Sequence, residues 1–318
     1  WRQKLIEWNF IIPPAQEPKK YLGYKPTDKP ARLDMSDKRA VELFEASTWL
    51  AKQKSVIPAF VHSYTGMCLH GALLDREALA AFQRVFEFIS KHMNKKHRVT
   101  LWKSVRREIR NLRGLLPLFF ADVGAPLAPK IFSSDAEGAF DQGEGGTDSY
   151  GGIAYGWSQP LYKEILQVLP NVETRGCVVF EDALWEHVLD PSSEMRRLSP
   201  QSKLPPSWTD QDSWYCFGTK SWRRYEHVNV GELRGVIAYM NELSKHPKLH
   251  RCKVIGVSDS MVTVAAVGKG RSPSYSLLKA LRLKTALGLC SGIRILLLWV
   301  KSSNMPMDWY SRNRDVKL

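Results

Sequence analysis

The chain has 318 residues, of which 44% are hydrophobic and 25% are charged, and its formal net charge is +14. This composition is typical of a folded globular protein and excludes wholesale disorder, and no apolar run approaches the ~20 residues that span a bilayer. The length exceeds what one hydrophobic core ordinarily fills, so we expect two parts.

The positive charge is concentrated in the first part of the chain. Residues 1–130 contain 23 lysines and arginines against 12 acids, whereas the remainder is nearly balanced. An excess of this size on one part of a protein indicates a polyanionic partner, and we expect nucleic acid rather than a membrane.

The cysteines argue against a disulfide framework or a zinc site. Their number is odd and none forms a C-x-x-C pair, so we expect reduced thiols in an intracellular protein, either nuclear or mitochondrial. They are Cys68, Cys177, Cys216, Cys252 and Cys290.

The first 130 residues are predicted to be an arm followed by helices. Residues 1–38 contain five prolines and scattered lysines, which predicts an extended arm that contacts other proteins of a complex. Apolar residues at helical spacing then predict helices at 36–53, 73–93 and 100–116. We therefore predict a mostly helical, basic region over 39–129.

The helix at 100–116 is the sharpest amphipath in the chain. Residues 91–113 contain nine lysines and arginines and one acid, Glu108. Such a face is either a solvated helix surface or a contact surface for a phosphate backbone. The candidate contacts on it are Lys103, Arg106, Arg107, Arg110 and Arg113.

The hydrophobic period changes after residue 130. Strands are predicted at 130–136, 151–157 and 221–230, and the polar, proline-rich segment 158–220 between the second and third is predicted to be an insertion. The remaining elements alternate, and they are a helix at 231–246, a strand at 253–260, a helix at 274–292 and a strand at 293–300. Three meandering strands followed by alternating helices and strands indicate an α/β layer with a mixed sheet.

Four carboxylates occupy element ends in this region. They are Asp135 in the first strand, Glu232 in the first turn of the next helix, Asp259 after the fourth strand and Asp308 inside a last helix. Each taken singly has an ordinary explanation, such as a favourable helix dipole or a turn cap. The first and fourth strands can be neighbours in such a sheet, so the four acids can converge. Converging acids require divalent cations, and oxygen ligands favour Mg²⁺ or Mn²⁺.

The motifs SSDA, GGIAYGW, HVNVGELRGV, VIGVSDS and WVKSSNMPMDWYSR, in this order, resemble the ribonuclease H domain of retrotransposon-type reverse transcriptases. The resemblance covers about 131–318. It includes KGRS at 269–272, GIR at 292–294, Trp299–Val300, Asn304, Ser311 and Arg312. The stretches 61–89 and 104–129 are more loosely similar to the helical connection that precedes this domain.

The resemblance implies an α/β fold, namely a ribonuclease H-like mixed five-stranded sheet with flanking helices over 130–318. It implies an Mg²⁺-dependent endonuclease that cleaves the RNA strand of RNA/DNA hybrids with two Mg²⁺ or Mn²⁺ ions. Asp135 would bridge both ions, Glu232 and Asp259 would complete the shell of the first, and Asp308 would hold the water-activating ion. Further nucleic-acid contacts would be Lys269, Arg271 and Asn304, although the two cations also fit exposed turn charges.

Three departures from the family pattern are visible. The Tyr-x-Asp-Asp type motif of the polymerase palm does not occur in these residues, so no polymerase activity is expected from them. The gap of 97 residues between Asp135 and Glu232 is long, which the insertion explains. Lys301, Ser302 and Ser303 stand where cellular ribonucleases H carry a histidine, which bears on product release more than on metal binding.

Two other functions fit the same residues. A retroelement-derived protein without its polymerase can serve as a catalytically silent, RNA-binding subunit of a large ribonucleoprotein such as an organellar ribosome. A strand-transferring or resolving nuclease can use the same fold, because fold alone does not determine the substrate. Retention of all four acids favours the nuclease over the silent subunit, because a scaffold has no need of repelling carboxylates.

Overall fold

The computed structural model of the chain describes residues 23–138, 151–175, 204–222 and 226–312, and within them the fold is mixed α/β. The strands are β1 Tyr24–Asp28, β2 Ala31–Met35, β3 Ser55–Val56, β4 Val99–Thr100, β5 Phe120–Asp122, β6 Ile131–Glu137, β7 Gly152–Ser158, β8 Tyr215–Ser221, β9 Lys253–Ser258 and β10 Arg294–Trp299. The helices are α1 Asp37–Lys52, α2 Pro58–Ala72, α3 Arg84–His92, α4 Lys103–Leu115, α5 Tyr162–Arg175, α6 Val228–Ser244, α7 Met261–Lys269, α8 Tyr275–Ser291 and α9 Asp308–Arg312. Within the described ranges, no helix is long and apolar enough to cross a bilayer.

The main sheet has five strands in the order β10-β9-β6-β7-β8. The pairs β6–β7 and β7–β8 are antiparallel, whereas β6–β9 and β9–β10 are parallel. The predicted contact between the first and fourth strands is therefore confirmed, with Phe132 opposite Gly256. A Cβ at residue 256 would lie 2.2 Å from the Phe132 ring, so a glycine there lets the two strands pair closely.

Two predicted elements were wrong. The third strand is β8, at Tyr215–Ser221, rather than 221–230, because the His227 side chain accepts a hydrogen bond from the Asn229 N–H and caps a helix that begins at Val228. The predicted helix at 73–93 is broken into a 3₁₀ helix, Arg76–Ala81, and α3.

A buried carboxylate lies at the break in the predicted helix at 73–93. The carboxylate of Glu108, from α4, accepts hydrogen bonds from the backbone N–H groups of Gln83 (3.2 Å) and Val85 (3.0 Å). These N–H groups belong to the N-cap residue and to the first turn of α3, so an acid on another helix satisfies donors that would otherwise be unpaired. The one acid within the basic 91–113 stretch is thus a structural residue.

The predicted arm is partly structured. Residues 24–35 form a β1–β2 hairpin that pairs with β5, and the Tyr24 ring stacks on His70 while its hydroxyl donates to the His70 carbonyl. The rest of the arm, 1–22, lies outside the described residues. The predicted insertion, 158–220, contains α5 and a packed turn in which Trp208 is fully buried, but its last six residues are not part of an insertion, because they belong to β8 of the main sheet. Residues 176–203 also lie outside the described part of the chain.

Four ion pairs join the N-terminal region to the sheet region. In each pair the acid comes from residues 75–122 and the base from residues 251–294. The pairs are Asp75–Arg294, Glu77–Lys284, Glu108–Arg282 and Asp122–Arg251. Lys284 is only 1% exposed, so its charge depends on Glu77 for compensation.

We expect Glu77→Gln to lower the free energy of unfolding by about 3 kcal/mol or more, because it leaves the Lys284 ammonium buried without an anion. Chemical denaturation measures the change. The control is Glu42→Gln, which removes an exposed partner 3.9 Å from Lys38 and should cost less than about 1 kcal/mol. Equal losses in the two variants would contradict this account of the interface.

Candidate metal centre

Three acids converge near the C-terminal ends of β6 and β9, two inner strands of the main sheet. Asp135 lies in β6, Asp259 follows the neighbouring β9, and Glu232 lies in α6, which packs across β6. One carboxylate oxygen from each lies within 4.8 Å of the others. We call these residues the acidic trio, and its ligand set could hold a metal ion.

Glycines allow α6 to approach β6 closely enough for this convergence. A Cβ at residue 235 would lie 2.9 Å from the Ser134 side chain, and one at residue 231 would lie 3.3 Å from the Ala136 Cβ. These two glycines flank Glu232 along the helix face that meets the strand. The helix begins at Val228, so Glu232 lies beyond the first turn in which it was predicted.

Burial and neighbouring charges raise the pKa values of Glu232 and Asp135. Burial, reinforced by the charges of Asp135 and Asp259, raises the pKa of Glu232 to about 9. Burial also raises the pKa of Asp135 to about 6, with the charge of Asp259 adding to the shift and the Ser311 hydroxyl opposing it. A divalent cation among the three oxygens would lower these pKa values, because it stabilises the ionised forms.

Hydroxyl groups from outside the trio donate hydrogen bonds to two of its acids. The Ser311 hydroxyl donates to Asp135 Oδ2 at 2.5 Å, and the Ser302 hydroxyl donates to Asp259 Oδ2 at 2.5 Å. Sequence reasoning did not assign a role to either hydroxyl. Both serines lie in the matched C-terminal motif, and Ser302 lies in the loop where cellular ribonucleases H carry a histidine. Their positions in the motif were the sequence signal that could have assigned them to the site.

One oxygen of Glu232 is left without a partner. Its Oε1 accepts a hydrogen bond from the Ala136 N–H at 3.2 Å, but Oε2 is buried and has no hydrogen-bond partner within the described structure. A buried carboxylate oxygen without a donor is costly unless it is protonated or binds a cation. The donor set therefore fits a hard divalent ion.

The fourth predicted acid, Asp308, lies near the trio but is not a member of it. Its charge contributes to the raised pKa of Asp135, while its own Oδ1 pairs with Arg312 at 2.7 Å. Of the four acids that were predicted to converge, three do so. The fourth, Asp308, forms an ion pair with Arg312, four residues later in α9. The prediction considered only the acids and did not include this partner.

The predicted nucleic-acid contacts lie on three separate stretches of the chain, α4, the turn after α7 and the loop after β10. Lys103, Arg107 and Arg110 are exposed on α4, whereas Arg113 contacts Thr48 and the Phe44 ring, and Arg106 is half-buried. Lys269 and Arg271 flank the turn after α7, and Asn304 is exposed in the loop after β10. Their role in binding stays a prediction.

We expect Gly235→Ala to lower stability by about 1–3 kcal/mol and to weaken Mn²⁺ binding, because the new Cβ pushes α6 away from Ser134. Calorimetric unfolding and Mn²⁺ titration measure the two effects. Gly66→Ala is the control, since no atom lies within 4 Å of its added Cβ on α2, and it should gain up to about 1 kcal/mol of stability. Unchanged Mn²⁺ affinity in Gly235→Ala would contradict this role of the glycine.

We expect the metal-free protein to lose stability as pH rises from about 5 to about 8, relative to Glu232→Gln. Folded Glu232 keeps its proton up to a pKa of about 9, whereas the unfolded carboxyl loses it near ~4.3, so folding binds a proton over this range. The difference should approach about 1.4 kcal/mol per pH unit.

Urea unfolding in chelator at several pH values measures this difference. Glu45→Gln, which removes an exposed acid on α1, should follow the wild-type curve. A difference between wild type and Glu232→Gln that stays constant with pH would show that Glu232 is ionised in the folded state.

The chain was also compared with known proteins. No model of a known protein family matches it, and no curated protein sequence does. The assignment of function therefore depends on the acidic trio and the residues around it.

Proposed function

We propose that the chain is a ribonuclease H-type nuclease that hydrolyses the RNA strand of RNA/DNA hybrids with Mg²⁺ or Mn²⁺. The observation that carries this proposal is the acidic trio, in which oxygens of Asp135, Glu232 and Asp259 lie within 4.8 Å of one another. Carboxylates at this spacing are typical ligands of hard divalent ions.

The sheet supports the proposal. In chain order, β6, β7 and β8 pair antiparallel, and β9 and β10 then add in parallel beside β6. The resemblance implies a mixed five-stranded sheet of this kind. The matched motifs also lie where a site needs them. SSDA carries Asp135, VIGVSDS carries Asp259, and the segment before GELRGV provides the cap that starts α6.

The residues of the trio would hold the ions, and the surrounding hydroxyls would keep the carboxylates in place. When bound, two divalent ions supply an activated water and neutralise the developing charge on the scissile phosphate. Asp308 would join the trio, as the resemblance implies, only after its ion pair with Arg312 opens. Arg312 would then be free to face the anionic substrate.

The charge distribution supports a polyanionic substrate. The exposed cations Lys103, Arg107 and Arg110 have no acidic partner within the described part of the chain. Such unpaired cations bind phosphate groups in a salt-dependent way. The RNA strand is proposed as the one cleaved because the resemblance implies it and a 2′-hydroxyl distinguishes it from DNA.

We expect Asp135→Asn to reduce Mg²⁺-dependent cleavage of a hybrid by at least about 10³-fold while hybrid affinity changes little, because the trio loses a charged ligand. Gel assays on hybrid, DNA duplex and RNA duplex measure cleavage, and fluorescence anisotropy measures binding. The control is Asp37→Asn on α1, whose side chain is mostly exposed and which should cleave like wild type.

Three outcomes of this experiment would argue against the proposal. Undiminished cleavage by Asp135→Asn would remove the trio from catalysis. Equal cleavage of DNA duplex would favour a strand-transferring or resolving nuclease. RNA binding by the wild type without cleavage of any substrate would favour the silent subunit of a ribonucleoprotein.

A further inference from the structure

A groove with a volume of about 500 Å³ separates α4 from α8. It lies where the N-terminal helices meet the sheet region, on the side of the Glu108–Arg282 ion pair. Its floor includes the buried Ala80 and Thr285. The groove is outside the acidic trio, and none of the trio's residues lines it.

The α4 wall presents positive charge to this groove. Arg107 lines it, and Lys103 and Arg110 lie one turn away on either side along the exposed helix face. None of the three forms an ion pair within the described residues. Asn111 and Ser104 also line this wall, and their side chains have no hydrogen-bond partner in the same part of the chain.

On α8, Tyr275 and Arg282 line the groove, and Lys279 lies between them on the same exposed helix face. Tyr275, Lys279 and Arg282 are exposed and follow one another at spacings of four and three residues, which places them on one helix face. Tyr275 is 62% exposed, a large aromatic ring left in solvent at the first residue of the helix. An exposed ring beside a cationic groove is the arrangement with which proteins bind nucleic-acid strands.

Acids near the groove do not cancel this charge. Glu108 is buried and is already bound by Arg282 and by two backbone N–H groups of α3. Glu87 pairs with Arg84, which lines the same groove. The cations that remain without acidic partners are those of the two exposed walls.

The topology points one end of the groove towards the acidic trio. The C-terminal end of α8 leads within two residues into β10, which runs parallel to β9 with Arg294 opposite Lys253. The C-terminal end of α8 therefore lies near the start of β9. The trio lies near the other end of β9, which stops at Ser258, next to Asp259. The 17-residue helix then runs back about 25 Å, so Tyr275 lies on the side of the trio.

We propose that the groove between α4 and α8 holds the sugar–phosphate backbone of the hybrid beyond the point of cleavage, with the Tyr275 ring against a sugar or a splayed base. This inference rests on the proposed function and adds a second contact region to it. The exposed stripe from Tyr275 to Ala286 is about 16 Å long, which matches about five phosphates of one strand. A hybrid too short to reach the groove would not be affected by it.

The experiment compares two double variants that remove the same charge. Arg107→Gln with Lys279→Gln takes one unpaired cation from each wall. Lys52→Gln with Lys248→Gln takes two exposed cations from the end of α1 and from the loop after α6. Each is assayed for cleavage of hybrids of about 8 and about 30 base pairs, and for anisotropy binding of the longer hybrid at several salt concentrations.

We expect the groove variant to lose about tenfold or more in kcat/KM on the longer hybrid, mainly through KM, and to cleave the shorter hybrid like wild type. The slope of log affinity against log salt should fall by about two, because each lost phosphate contact contributes about 0.9. Tyr275→Leu should weaken binding of the longer hybrid by about fivefold or more, whereas Tyr275→Phe should retain it. The control variant should match wild type throughout.

An unchanged salt slope and unchanged KM in the groove variant would overturn the inference, and the groove would then suit an acidic protein surface instead. If cleavage still required Asp135 in that case, the proposed function would stand. If no cleavage occurred in any protein, the proposed function would fail, and the anisotropy slope would still test the groove. A loss on both hybrid lengths would also overturn it, because the residues would then act at the trio.

Discussion

The close contact between α6 and β6 is the constraint on which the candidate site depends. Gly231 and Gly235 let the helix axis approach the strand to a distance that no side chain there would allow. The approach carries Glu232 between two strands that already bear an acid each. Without it, Asp135 and Asp259 would be an ordinary pair of carboxylates at the edge of a sheet.

The same contact creates an energetic problem. Asp135 is 4% exposed and Glu232 is 6% exposed, so ionising both would place two like charges side by side in a buried site. Hydroxyls from Ser302 and Ser311 offset part of the cost, but one Glu232 oxygen is left without a donor. A fold that only needed stability would place apolar residues here, and the three carboxylates could hold a metal ion.

The N-terminal helices and the sheet region are linked by acids on one side and bases on the other. The linkage fixes α4 beside α8, and it uses Glu108 both to cap α3 and to bind Arg282. The linkage therefore fixes the two helix backbones from which the cations on the outer faces project.

Local periodicity was enough to predict most helices and strands of the sheet region, as well as three acids that do converge. It failed where a distant group decides the outcome. Glu108 ends the predicted helix at 73–93, and the His227 cap turns a predicted strand into the start of α6. The pairing of Asp308 with Arg312 has the i,i+4 spacing that the sequence already offers. Only the tertiary structure showed that three of the four acids meet, because their meeting depends on how closely α6 packs against β6, and residues far apart in the chain determine that packing.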